Sequence, residues 1–139
     1  MSPETGAAGF PDGEWFDLLA VAMRDDRELG VIGHGLSLDL GLGYGDETYL
    51  LRLRGGRLAA VEGPDEITDG EPDFLLSAPQ EAWQEFLRAE PPPFYNHPLA
   101  MASRVPGASL EGDLTAFVRH LRALNRVFEL ARAVESGRV

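Results

Sequence analysis

The C-terminal part of the sequence limits the possible folds strongly, because it predicts a long helix that must bury one side. After Asp113, apolar residues recur at spacings of three and four. This period is typical of an amphipathic helix, and Asp113 is its predicted N-cap. About twenty helical residues span roughly 30 Å, enough to cross a small sheet. The predicted buried stripe consists of Leu114, Phe117, Val118, Leu121, Leu124, Phe128 and Ala131.

An alternating pattern further upstream predicts the sheet that this helix would cover. In His34–Gly43 leucine alternates with small or polar residues, which is the period of a strand with one buried face. Glu47–Arg54 and Arg57–Glu62 follow as two more strands. Gly55 and Gly56 between them suit a two-residue hairpin turn, where both positions favour a positive φ. The sequence therefore predicts a three-stranded antiparallel meander.

The register of the meander follows from its two turns. A first turn at residues 43–46 pairs Leu38 with Leu51 and Leu40 with Tyr49. The glycine turn then places Ala60 opposite Leu51. Because a slip of one residue would mix the two faces, this agreement of apolar positions supports the meander.

The other segments complete an α+β order. A first helix contains Trp15 to Met23, with apolar residues at helical spacing. Asp73–Ser77 is a fourth strand, and the helix Gln80–Arg88 follows Pro79. An apolar segment after the three prolines at 91–93 contains a short helix from Pro98, and Ala108–Glu111 is the fifth strand.

Length and composition indicate one soluble domain. Residues 1–11 form a loose N-terminal arm, and residues 12–139 form a single domain that is long enough to bury its own core. The chain has no cysteine, which excludes disulfides and thiolate metal sites. A net charge of −11 argues against nucleic-acid or anionic-membrane partners and favours a monomer or weak homodimer.

Targeting signals are not recognisable in the sequence. No apolar run approaches the roughly 18 residues of a membrane span, and the N-terminus lacks the features of a signal peptide. We therefore expect a cytoplasmic protein without stable membrane insertion. All 12 basic residues are arginine, which fits a GC-rich, bacterial coding bias.

Two segments resemble the sterol carrier protein family. They are DFLLSAPQEAWQEFL at 73–87 and ASLEGDLTAFVRHLRAL at 108–124, and the order of elements over residues 13–134 is also similar. The resemblance implies a five-stranded, mainly antiparallel sheet covered on one face by helices, with an apolar tunnel between them. It also implies a non-catalytic protein that binds sterols, fatty acyl chains or other lipids. We expect no cofactor. The PPPFYNHP stretch at 91–98 and the lack of a peroxisomal signal depart from the family pattern.

A lipid tunnel needs apolar walls, since each methylene of the ligand that is buried contributes about 0.8 kcal/mol to the free energy of binding. It also needs walls that adapt to the ligand, as methionine and aromatic side chains do. The 91–105 segment would act as a movable lid, with the entrance between it and the last helix. The same residues could instead simply fill the core. The candidate ligand-binding residues are Met23, Trp83, Phe86, Phe94, Leu99, Met101, Phe117, Leu121, Leu124 and Phe128.

The sequence leaves three other interpretations open: an enzyme, a polar contact to a ligand headgroup, and an interaction module. Tyr95 and His97 could form an acid/base pair of an enzyme acting on a hydrophobic substrate, although no catalytic motif accompanies them. Asn125, on the apolar side of the last helix, either caps a neighbouring backbone group or contacts a ligand headgroup. The chain could also be an interaction module with a filled core. The histidine spacing argues against a metal site, since no two histidines are four residues apart.

Overall fold

A mixed five-stranded sheet forms the centre of the molecule. The computed structural model describes residues 9–64 and 72–137. The sheet order is β3-β2-β1-β4-β5, where β1 and β4 are parallel and the other neighbours are antiparallel. This confirms the predicted fold class, an α+β protein with a mainly antiparallel sheet. The strands are β1 (Leu38–Tyr44), β2 (Glu47–Arg54), β3 (Arg57–Glu62), β4 (Phe74–Ala78) and β5 (Ser109–Gly112).

The helices pack on one face of the sheet, where the alternating apolar residues of β1, β2 and β4 point. Phe74, Leu40 and Leu53 on that face have no exposed surface. Within the described residues, no helix is both long and apolar enough to cross a bilayer. The helices are α1 (Gly13–Asp25), α2 (Arg27–Ile32), α3 (Gln80–Phe86), α4 (Pro98–Arg104), α5 (Leu114–Arg119) and α6 (Leu121–Glu135).

The meander is present, but its predicted register was wrong by two residues. Leu38 pairs with Leu53 and Leu40 pairs with Leu51. The cause is the first turn, which contains only Gly45 and Asp46 between the two strands, so β1 extends to Tyr44. A shift of two residues keeps every side chain on its face. The apolar pattern therefore could not distinguish the two registers.

A bulge between β2 and β3 corrects the predicted position of Ala60. Arg52 pairs with Ala60, whereas Leu53 pairs with Leu58, so Ala59 is the extra residue on β3. An extra residue moves the following side chains to the opposite face. As a result Val61 lies opposite Leu51, and Ala60 lies on the outer face.

Charged side chains on the outer face connect the first three strands. The Arg52 guanidinium donates to Asp39 at 2.9 Å and to Glu62 at 3.0 Å. Asp39 and Arg52 lie directly opposite each other on β1 and β2. The outer face is therefore polar at its centre, in contrast to the leucine-rich inner face.

The predicted C-terminal helix is divided at His120. Asp113 caps α5 as predicted and accepts from the Ala116 N–H at 3.0 Å. His120 leaves helical geometry with φ −103° and ψ 15°, and α6 begins after it. Because the break changes the direction of the apolar face, Leu114 and Val118 are 50% and 59% exposed. Their assignment to the buried stripe was wrong.

Phe10, near the start of the described residues, packs against the core. Residues 1–8 of the predicted arm lie outside the described residues. The Phe10 ring packs edge-to-face on Trp15 at 4.9 Å and lies 5.3 Å from Trp83, and its N–H donates to Glu135. The end of the arm therefore contacts both α1 and α3.

Asp26 joins α2 to α6 and supports a testable prediction. Its carboxylate accepts from the Leu29 N–H at 2.8 Å, which caps α2, and from Arg126 at 2.6 and 3.0 Å. We expect Asp26→Ala to lower the free energy of unfolding by about 2 kcal/mol, because it removes the cap and a largely buried ion pair. Asp26→Asn should cost about half as much, since asparagine caps equally well. Urea denaturation measures both.

The same ion pair has a pH dependence. The hydrogen bond from Arg126 holds the pKa of Asp26 below its ordinary value of 3.8. A carboxyl whose pKa is lower in the folded state contributes stability above its unfolded pKa, and this contribution is lost as the pH falls. The difference between wild type and Asp26→Asn should therefore shrink below pH 3.8. A difference that stays constant down to pH 2, about two units lower, would contradict the ion-pair explanation.

Candidate functional site

The predicted ligand-binding residues converge on the layer between sheet and helices. Seven of the ten are buried there with at most 4% of their surface exposed. Leu99 and Leu121 are partly buried at the edge of the core, and Phe94 is 49% exposed. The seven buried residues are Met23, Trp83, Phe86, Met101, Phe117, Leu124 and Phe128.

An aromatic cluster forms the centre of this layer. The Phe86 ring lies 5.5 Å from Trp83 and 5.2 Å from Phe128, both in edge-to-face geometry. The Trp83 Nε1–H donates to the Gly43 carbonyl of β1 at 2.7 Å. These contacts link α3 to α6 and to the sheet, so side chains fill the centre of the layer.

A small cavity lies at the predicted entrance, between α6 and the segment before α4. Its volume is about 190 Å³. We call it the seam cavity, and Phe128 of the aromatic cluster forms part of its wall. Ligand pockets for drug-sized molecules typically measure about 300–1,000 Å³, so the seam cavity has room for a headgroup but not for a whole lipid. Its lining residues are Asn96, His97, Pro98, Asn125, Phe128, Glu129 and Arg132.

Arg132 is the residue of this site that sequence analysis missed. Its Nε donates to the Phe86 carbonyl at 2.7 Å, and an Nη donates to the Tyr95 carbonyl at 3.2 Å. The guanidinium carbon lies 4.7 Å from the centre of the Phe86 ring. A signal was present in the sequence, because Asn125, Phe128 and Arg132 are spaced three and four residues apart and so share one face of α6.

His97 and Asn125 also line the seam cavity. His97 Nδ1 accepts from the Leu99 N–H at 3.1 Å and so caps α4. The Asn125 Nδ2 lies 3.4 Å from His97 Nε2. Burial, together with the positive charge of Arg132, lowers the pKa of His97. The neutral ring therefore accepts at Nδ1 rather than carrying a charge at neutral pH.

The predicted acid/base pair is not joined by a hydrogen bond. Within the described residues His97 contacts Leu99 and Asn125, while Tyr95 contributes its backbone carbonyl to Arg132. The same part of the chain contains no group of three or more side chains that could hold a metal ion. The enzyme hypothesis therefore stays a prediction without a geometric argument in its favour.

Several larger grooves lie elsewhere on the surface, and two of them flank α1. One, of about 530 Å³, separates α1 from β3 and is lined by Phe16, Ala20 and Val61. Burial and a hydrogen bond to Glu47 raise the pKa of Tyr49 beside it to about 12. The other, of about 630 Å³, runs between α1 and α6. Neither of these two grooves contains any of the ten predicted ligand-binding residues. Met23 lines a further groove of about 360 Å³, and Phe128 lines the seam cavity.

Comparison with known proteins places the fold. A crystal structure of sterol carrier protein 2 superimposes with a TM-score of 0.67 at 19% identity, covering 86% of this chain and 94% of that one. A conserved hypothetical protein of Thermus thermophilus, suggested to be a sterol carrier protein, gives a TM-score of 0.68 at 18% identity. This match covers 93% of this chain and 91% of that one. The UbiJ-SCP2 ubiquinone synthesis protein gives a TM-score of 0.56 at 14% identity, covering 83% of this chain and 85% of that one.

Sequence comparisons give no further assignment, since neither a family model nor a curated protein matches the chain. The structural likeness covers most of the chain in each case. The protein therefore has a sterol carrier protein 2-like fold.

Proposed function

We propose that this protein is a non-catalytic carrier that binds an apolar, lipid-like small molecule between its sheet and its helices. The observation that carries the proposal is the seam cavity, which opens at the predicted entrance and has Phe128 of the aromatic cluster in its wall. The sterol carrier protein 2-like fold supports the same function. In this proposal the guest partitions into the apolar layer without chemical change.

In this proposal a lipid tail enters only when the layer opens, because side chains fill its centre. The lid would be α4 with the preceding 94–97 segment. Met101 of α4 is completely buried, while Phe94 is half exposed and lies under the Arg104 guanidinium at 5.4 Å. Ten buried methylenes would contribute about 8 kcal/mol. A free energy of this size can offset the displacement of a few side chains from the core, which costs about 1–3 kcal/mol for each lost packing arrangement.

The first test asks whether the protein binds a lipid-like ligand at all. Native mass spectrometry of freshly purified protein should show a retained small molecule, and delipidated protein should bind a fluorescent fatty acid saturably. If no molecule is retained and titration gives no saturation, the carrier function is contradicted.

A second measurement asks where the guest enters. The chain has no cysteine, so a single introduced cysteine can carry an environment-sensitive dye. Phe94→Cys places the dye on the lid, and Val31→Cys, on the 77% exposed Val31 of α2, is the matched control. We expect ligand to change the emission of the dye at position 94 and to leave that at position 31 unchanged. Saturable binding with no response at 94 would reject the lid.

A further inference from the structure

Arg132 differs from the other partly buried arginines in having no carboxylate partner. Three described arginines are partly buried, namely Arg52, Arg126 and Arg132. Arg52 pairs with Asp39 and Glu62, and Arg126 pairs with Asp26 and Glu129. Arg132 instead donates to two neutral backbone carbonyls, and within residues 9–64 and 72–137 it forms no ion pair.

This arrangement leaves a positive charge partly uncompensated inside the protein. A guanidinium has five N–H donors, and only two hydrogen bonds from Arg132 occur among the described residues. Glu129 also lines the seam cavity, but its carboxylate is held by Arg126 at 3.0 Å. Burial lowers the pKa of Arg132 despite the charge of Glu129. A buried cation without an anionic partner is energetically unfavourable, so an anion in the cavity would stabilise it.

The neighbouring groups suit the headgroup of an amphiphile. The Asn125 amide lies two helical turns before Arg132 on the same face of α6 and can donate to an oxygen in the cavity. The Phe128 ring between them lines the seam cavity and provides apolar surface for the first methylenes of a tail. Polar donors and apolar walls therefore meet in one cavity.

We propose that Arg132, assisted by Asn125, forms a headgroup subsite in the seam cavity that selects carboxylate amphiphiles over neutral amphiphiles with the same tail. This inference rests on the proposed carrier function. The geometry of a guanidinium matches a carboxylate, which can accept two parallel hydrogen bonds. A phosphate monoester carries about −1.5 to −2 charges. With one cation and Glu129 in the wall, the site favours a single negative charge.

The test compares a fluorescent fatty acid with its methyl ester at pH 8, where the acid is ionised. Delipidated wild-type protein should bind the acid at least about tenfold more tightly, since hydrogen bonds to charged groups exceed neutral ones by this order. Arg132→Met should remove this preference, because it should weaken binding of the fatty acid and leave binding of the ester unchanged. Arg122→Met is the matched control, because Arg122 is exposed on the same helix and its loss changes the net charge equally. It should leave the preference intact.

A second variant does not depend on the stability of Arg132→Met. Asn125→Asp places a negative charge in the cavity wall. It should weaken binding of the fatty acid about tenfold and leave binding of the ester unchanged. A lysophosphatidate with the same tail should bind more weakly than the acid. Tighter binding of the phosphate would overturn the preference for a single charge.

Two results would overturn the headgroup subsite. One is equal affinity of the wild-type protein for acid and ester. The other is an equal loss of both ligands in Arg132→Met with no selective loss in Asn125→Asp, which would indicate a structural role only. If the wild-type protein binds neither ligand, the carrier function itself fails, so the two failures are distinguishable.

Discussion

Replacement of Trp83 by alanine should lower the free energy of unfolding by about 4 kcal/mol, as is typical when a large aromatic side chain is removed from a core. Trp83 is 1% exposed and packs against Phe86 and Phe10. Its loss also leaves the buried Gly43 carbonyl without the indole donor. Urea denaturation followed by far-ultraviolet circular dichroism measures the change.

Trp83→Phe is the matched control for this prediction. It keeps most of the ring packing and removes the Nε1–H, so we expect a loss of about 1–2 kcal/mol. If Trp83→Ala cost less than about 1 kcal/mol, which is the size of one ordinary hydrogen bond, α3 would not be anchored to the sheet through this residue.

Gly112→Ala should destabilise the protein by about 3 kcal/mol or more, because two penalties add at one position. Gly112 has φ +113°, a conformation that L-residues rarely adopt. A Cβ atom there would also lie 2.6 Å from the Asp73 carbonyl oxygen and 2.7 Å from the Phe74 Cα. Both are backbone atoms at the start of β4 or directly before it, which cannot move aside without disturbing the pairing of β4 with β5.

Gly137→Ala separates the two penalties. Gly137 also has a positive φ, of +77°, but a Cβ atom there would meet nothing within 4 Å. We expect a cost of about 1 kcal/mol from the backbone conformation alone. Thermal and urea denaturation of the two variants side by side would test this, and equal costs would contradict the steric contribution at Gly112.

The segments themselves could be predicted from the sequence because their signals are local. The bounds of β2 and β3 agree with the prediction, since Gly55 and Gly56 mark the turn between them. The Asp113 cap was also predicted correctly. By contrast, α2 was missed. Its charged first turn looks like the end of α1. The extended backbone of Asp26, with ψ 125°, and its hydrogen bond from the Leu29 N–H show that a new helix begins.

The candidate site was predictable only in part. Apolar spacing identified the residues that face the layer between sheet and helices, but it does not distinguish a tunnel wall from a filled core. Asn125 was recognised because a polar residue interrupts an apolar face. Arg132 was not, since its partners, the Phe86 and Tyr95 carbonyls, are 46 and 37 residues away in the chain.

The amino-acid sequence alone determined the fold class, the order of all elements except α2, and the inner face of β1 and β2, because period and turn residues act over a few positions. Tertiary structure decided the register of the meander, the bulge at Ala59, the helix break at His120 and the neighbours of Arg132. These features depend on contacts between distant segments, and several arrangements satisfy the same local pattern. A two-residue shift in register, for example, leaves every leucine on the inner face.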